Sequence, residues 1–401
     1  MRHNASAVEK KKERGPMLPL RLLETIIGTL SHGGISIVSV FFARPVAWWR
    51  AVLAQYGSAS INSLKLWSQG AAAGEPSLTI MGHHARGVTG IALSPDGHLL
   101  ASASYDHTTK LWDLDSNRLL ATKEIDSRSP NHILAVAFAP GGSVFAAGST
   151  DGVIRIWKAG SNGDEAPTTR ISAHHPKPVK ALAFSPDGVL LASGSGDGEI
   201  TLWAWQDGEG ERKRRFPGRG VVAGVSKLVF SPDGRHLACA SEEQTVNLWD
   251  VATGALAAHL AGCGGDARGL AYSKDGRWLA HADGDAKVKV AEIKAGGIPL
   301  SGCAQEIDLG QVVYDVAFSH DGRLLAVALG RSVIEILERE NGQPVRTLTD
   351  YSGAVTAVAF SQDSRLLASG SWDNSVKLWR VQSRFGFGDY WRAFAGRLRR
   401  V

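Results

Sequence analysis

Seven times in this chain an alternating apolar segment runs into a short turn signal. The signals are LSPDG at Asp96, APGGS at Gly141, FSPDG at Asp187, FSPDG at Asp233, YSKDG at Asp275, FSHDG at Asp321 and FSQDS at Asp363. Their successive spacings are 45, 46, 46, 42, 46 and 42 residues. A period of this length marks a repeat architecture, in which one unit cannot bury its apolar faces alone and neighbours must complete the core.

Each unit resolves into four short segments. The first alternates with period two, as in VTGIALS (88–94), VKALAFS (179–185) and VTAVAFS (355–361), and reads as a half-buried strand. The second follows the turn and is built of small residues, as in LLASGS at 190–195 and again at 366–371. Ala, Ser and Gly suit strands near a crowded axis, which must approach closely and leave no room for Leu. The third ends in Leu-Trp or Ile-Trp, as in SASYDHTTKLW (102–112), SGSGDGEITLW (193–203) and SGSWDNSVKLW (369–379). A weaker fourth follows, for example RLLATKEI (118–125), ALAAHL (255–260) and PVRTLTD (344–350). Four strands every 40–45 residues predict an all-β fold built of propeller blades.

In these residues the chain resembles the WD40 family of β-propellers, over roughly residues 76–381. The family signature runs from Gly-His through a Ser-x-Asp turn to Trp-Asp. All of it is present in Gly82-His83, Ser104, Asp106 and Trp112-Asp113. The resemblance implies that such His, Ser, Asp and Trp side chains form a hydrogen-bond chain inside each blade. It assigns that structural role to His174, Ser195, Asp197 and Trp203 in the third repeat. Partial sets follow in Ser149, Asp151 and Trp157, in Ser371, Asp373 and Trp379, and in Ser241 with Trp249, where Glu243 replaces Asp. Two repeats have lost the pattern. Ala291 and Leu337 stand at their Trp positions and Arg331 at one Asp position, so these blades should rest on apolar packing.

The expected ring has seven four-stranded blades. SLTIMG (77–82) would serve as the missing fourth strand of the last blade, beside SVKLWRV (375–381), which removes a sheet edge. An eight-bladed alternative stays open. SHGGISIVSVFF (31–42) and SINSLKLWS (60–68) look like the first and third strands of a decayed repeat, although ARPVAWWRAVLAQYGSAS between them does not fit. The expected organisation is therefore a basic, poorly structured segment over 1–30, a degenerate repeat or linker over 31–75, the propeller over 76–381 and a basic tail over 382–401. In that tail Trp391, Phe394, Ala395 and Leu398 recur at helical spacing. The run at 26–43 holds His, Ser, Thr and three Gly, which argues against a membrane span. Three cysteines without a C-x-x-C pair argue against a disulfide framework and for an intracellular setting, cytoplasmic or nuclear.

Chemistry is sparse. His83-His84 and His174-His175 invite a metal reading, but adjacent strand residues face opposite ways and no third ligand recurs beside them. No nucleophile elbow or phosphate loop is present, so neither an enzyme nor a cofactor nor a bound metal is expected. What remains is binding. The resemblance places the residue before the network Asp on the face of the propeller that often receives peptides. Tyr105, Glu242 and Trp372 hold such positions. In a seven-bladed ring Tyr105 and Trp372 are neighbours, as a binding hot spot requires. The expected partners are thus other proteins or peptides. Nucleic acid is the second reading, through the basic insert ERKRRFPGRG with Arg212, Lys213, Arg214, Arg215 and Arg219, although no aromatic ladder accompanies it.

Overall fold

The computed structural model describes residues 40–42, 66–68 and 77–381, save for 126–130, 161–166, 168, 172–174, 207–208, 217–223, 243, 261–264, 283 and 295–303. Residues 76–401 form one compact unit and residues 1–75 another. In the larger unit, seven four-stranded antiparallel sheets are the blades of a closed propeller. Blade 1 is Val88–Leu93, Leu99–Ser104, Thr108–Asp113 and Arg118–Glu124. Blades 2 to 6 occupy residues 133–171, 179–216, 225–260, 270–308 and 313–348. Blade 7 takes three strands from residues 355–380 and its fourth from Ser77–His83. In the closing pair Ser77 stands opposite Arg380 and His83 opposite Ser375.

The turn signals explain themselves. In six blades the Ser hydroxyl donates to the Asp two residues on, as Ser94 does to Asp96 at 2.5 Å and Ser319 to Asp321 at 2.6 Å. The same Ser94 hydroxyl accepts the N–H of Leu99, and Gly97 supplies the left-handed φ of +78° that the turn requires. The small second strands also have a definite cause. A Cβ on Gly148, Gly194 or Gly370 would fall 2.5, 2.3 or 2.4 Å from a γ-methyl of Val179, Val225 or Val88. Each of these valines opens the first strand of the next blade. The crowding therefore comes from the adjoining blade, and the contact of Gly370 with Val88 carries it across the closure.

The core is a series of interblade clusters. One joins Phe145 and Trp157 of blade 2 to Leu111 and Ala121 of blade 1, and another joins Val288 and Val290 of blade 5 to Val327 and Leu337 of blade 6. The first strands surround a central channel. At its far end Phe230, Tyr272, Phe318 and Phe360, each the last residue of a first strand, line a second cavity.

The eight-bladed alternative is corrected. In the smaller unit Val40–Phe42 and Leu66–Ser68 pair directly and in parallel. In a blade the first and third strands are separated by a second, which no described residue supplies here. The expected C-terminal helix lies outside the described residues.

Candidate functional site

The channel opens at the end where the first strands begin. The cavity there is about 360 Å³ and brings together Tyr105, Trp372, Tyr314, Lys180, Lys227 and Arg268 from six different blades. Tyr105 and Trp372 stand on either side of Gly87. A Cβ on Gly87 would lie 3.1 Å from the Trp372 ring and 3.6 Å from the Tyr105 ring, so the bare backbone is what lets the two aromatics close in. Tyr314 meets Trp372 edge-on, with centroids 5.1 Å apart, and Tyr105 meets His132 in the same way at 5.2 Å. Trp372 keeps 47 % of its surface exposed. Sequence reasoning placed Tyr105 and Trp372 together. It missed Tyr314, Lys180 and Arg268, which fall in one column of the repeat, just after the residue that opens each inner segment. Aligning columns, not motifs, is the signal that finds them.

Glu242 has a different fate from its two companions. Its carboxylate lies 2.5 Å from Lys180 Nζ and accepts the N–H of Gly224 at 3.1 Å. Burial opposes its ionisation, but Lys180 and that N–H outweigh burial and hold its pKa low.

Inside blade 1 the polar side chains form a continuous chain. Trp112 Nε1–H donates to Ser102 Oγ at 2.9 Å, Ser102 Oγ meets His84 Nε2 at 2.7 Å, and His84 Nδ1 meets Asp106 Oδ2 at 2.9 Å. The carboxylate only accepts, so Nδ1 carries the proton, and in the neutral imidazole Nε2 accepts from Ser102. Burial works against the charge of Asp106. The bonds from His84, Thr108 and the Ala85 N–H overcome it and hold the carboxyl well below its usual range.

This geometry corrects the expected assignments by one or two residues. The histidine is His84, which is buried, while His83 is exposed and only its carbonyl is used, by Lys110 Nζ. The serine is Ser102, not Ser104. Ser104 instead donates to the backbone carbonyls of Arg86 and Gly87 and accepts the Asp106 N–H, so it braces the turn. Blade 3 repeats the shift. His175 and Trp203 meet on Ser193 at 2.8 Å each, while Ser195 binds the Lys177 carbonyl and Asp197 accepts the Glu199 N–H. His174 lies outside the described residues.

Blade 7 uses a substitute. Tyr351 stands four residues before Val355, as His84 does before Val88. Its hydroxyl bonds Ser369 and accepts from Trp379 at 2.7 Å. Ser371 and Asp373 brace the turn. In blade 2, Ala147 stands at the Ser102 position, and Trp157 stacks on Phe145 instead, at 5.5 Å. Ser149 and Asp151 are held by buried Arg155, whose Nη2 lies 2.7 Å from the carboxylate. In blade 4 Cys239 replaces the serine, and Trp249 Nε1 has no partner among the described residues. Burial pushes the Cys239 thiol up to about 12, so it stays protonated.

A family model described as WD domain, G-beta repeat matches residues 74–113, 124–158, 166–204, 210–250 and 342–380. Those stretches cover blades 1 to 4 and the closing blade of the seven-bladed ring. The chain is a WD40-repeat protein. The two blades the family model passes over, 5 and 6, carry Ala291 and Leu337 where Trp is expected, and they form nonetheless. Among similar proteins is the WD repeat-containing protein SL1-17 of Schistosoma mansoni, 32 % identical over 33 % of this chain and 42 % of that protein. The Polycomb protein esc of Drosophila melanogaster is 33 % identical over 25 % of each chain. A guanine nucleotide-binding protein subunit beta of Schizosaccharomyces pombe is 31 % identical over 17 % of this chain and 22 % of that one. The match thus spans less than half the length of each of these relatives.

Two further groups in the WD40 propeller need placing. The basic segment is not an inserted loop. Glu209–Phe216 is the fourth strand of blade 3, paired with Ile200–Gln206, and so forms that blade's outer edge. Arg215 is ion-paired with Glu199 and Arg214 lies against Gly254, whereas Arg212 and Lys213 are exposed. Charges on an edge strand guard it against pairing with other chains. Arg219 lies outside the described residues. Among the described residues, one group of donors comes together with metal-ligand spacing: His175, Asp197 and Glu199, whose ligand atoms lie within 4.8 Å of one another. Glu199 is already held by Arg215 and Thr201, which fits an internal ion pair. No helix among the described residues is long and apolar enough to cross a membrane.

Proposed function

We propose that this WD40 propeller is a non-catalytic intracellular scaffold that holds a protein or peptide partner at the channel mouth. The observation that carries this is the group of Trp372, Tyr314 and Tyr105 around a cavity of about 360 Å³ on a rigid ring. Aromatic side chains offer large contact area at small entropy cost, and hot spots are built from them. The closed ring fixes their spacing before a partner arrives, which lowers the cost of binding. The family's general use as an interaction platform agrees with this reading.

The test is affinity capture with the full chain and with a Tyr105→Ala/Trp372→Ala variant whose thermal melt matches wild type. A partner retained by the wild type and lost by the folded variant is expected. An unchanged set of captured proteins would overturn the reading. Binding of RNA or DNA that falls steeply with salt and disappears when Arg212–Arg215 are neutralised would instead favour the edge strand of blade 3 as the working surface.

A further inference from the structure

The channel mouth is divided by chemistry. Blades 6, 7 and 1 contribute Tyr314, Trp372 and Tyr105, while blades 3, 4 and 5 contribute Lys180, Lys227 and Arg268. Among the described charged side chains lining the cavity, the one carboxylate is Asp315. It is 3 % exposed and already engaged, by Lys227 Nζ at 3.0 and 3.1 Å and by the Val358 N–H at 3.3 Å. Lys180 is engaged too, by Glu242. Among the described cations of the cavity, Arg268 is the one left most available. Its guanidinium lies 5.1 Å from the Tyr314 ring centre, its charge is felt by Glu242, and the carboxylate of Asp266 stands off at 3.7 Å. Both side chains of that pair are more than a third exposed, so water screens it.

The rings alone would suit a cationic guest. Arg268 reverses that preference, because it already lies over Tyr314 and would repel a second cation. A guanidinium presents a planar fork of donors that matches a carboxylate in a bidentate way. With Arg268 over Tyr314, the ring that meets Trp372, the site selects an anionic group. We infer that the mouth receives an extended acidic peptide, one carboxylate side chain of which pairs with Arg268 while a neighbouring apolar or aromatic residue packs on Trp372. This rests on the reading of the mouth as the partner site. The chain's own ends are poorly matched occupants, since both carry clustered cations: Lys10, Lys11, Lys12 and Arg14 at one, Arg392, Arg397, Arg399 and Arg400 at the other.

A random twelve-residue display library selected against the full chain tests this directly. The expected winners pair Asp or Glu with an aromatic or large apolar residue. Their affinity, read by fluorescence anisotropy, should fall at least tenfold with Trp372→Ala, with Arg268→Gln, and when the peptide's acid is replaced by its amide. The last change leaves the protein untouched, so it stands even if a variant is damaged. Neutral or basic winners that still depend on Trp372 would overturn the acidic preference and leave the scaffold reading intact. Winners indifferent to Trp372, or none at all, would overturn both.

Discussion

Blade 1 and blade 6 have matching strands and registers, and they are held together by opposite means. In blade 1, His84, Ser102, Asp106 and Trp112 form one hydrogen-bonded chain. In blade 6 the equivalent positions hold Leu309, Val327, Arg331 and Leu337, and Leu329 replaces Ser104. Val327, Leu329 and Leu337 are at most 1 % exposed. In blade 6 the whole polar set gives way to apolar residues except at Arg331, which is exposed. The lesson concerns cooperativity. Removing one partner of a buried hydrogen bond strands the other, whereas replacing both by apolar groups of similar shape is close to neutral.

The comparison can be broken at its strongest point first. Trp112→Ala opens a cavity and is expected to cost about 3–5 kcal/mol, and Leu337→Ala about 2–5 kcal/mol, both read by urea unfolding. Trp112 is the link between packing and polar chain, so a cost below that of Leu337→Ala would sink the picture. Next, Ser102→Val leaves Trp112 Nε1–H and His84 Nε2 facing a methyl group and is expected to cost about 1–3 kcal/mol for each stranded group. The triple change His84→Leu/Ser102→Val/Trp112→Leu should cost less than the sum of its parts. Strict additivity would show that the chain in blade 1 is not a unit. The reverse change, Val327→Ser, buries a hydroxyl among apolar neighbours and should cost about 1–3 kcal/mol.

Acidity separates the two blades more gently. The Asp106 carboxyl is held below its ordinary 3.8 in the folded state. Its contribution is therefore present in full above pH 3.8 and lost as pH falls toward the folded value. The gap in stability between wild type and Asp106→Asn should narrow on going from pH 6 to pH 3. In blade 6, Arg331→Asn should show no such narrowing. The smallest effect lies in the turn between second and third strands. Ala286 in blade 5 holds a left-handed φ of +70° and Ser332 in blade 6 one of +65°, as His107, Gln244 and Asn374 do in blades 1, 4 and 7, whereas Gly152 and Gly198 fill that place in blades 2 and 3. Ala286→Gly should gain up to about 1 kcal/mol, seen as a small rise in melting temperature; a loss would mean that the methyl group is contributing contacts.

Much of the fold was legible because the repeat states each blade several times, and the turn signals, strand periods and closing strand all agree. The side-chain network was read in kind but displaced in register. Ser102 and Ser104 lie two apart on one strand, share a face and are both buried; Ser102 is level with Trp112, whereas Ser104 is level with the turn. His83 and His84 are adjacent, and only His84 is buried. Sequence shows the pair, while the last turn of the backbone before Val88 decides which member is buried. Tyr351 escaped because a phenol in place of an imidazole leaves no motif, although it makes the same bond to Ser369. The basic segment was misread because charge marks both a binding loop and a protected edge strand. The mouth was half legible: residues beside the Ser-x-Asp turn belong to the motif, while Tyr314 and Arg268 do not.

The closing pair, Ser77 opposite Arg380, has a consequence for how the molecule comes into being. A strand made early must wait for a partner made last. At roughly 5–20 residues added per second, that wait is on the order of 15–60 seconds. Through it the nascent chain carries two open sheet edges and an inner face at Val88 that lacks Gly370. Blades 1 to 6 can each assemble from local pairings as they emerge, yet the ring becomes a ring in a single late, long-range step.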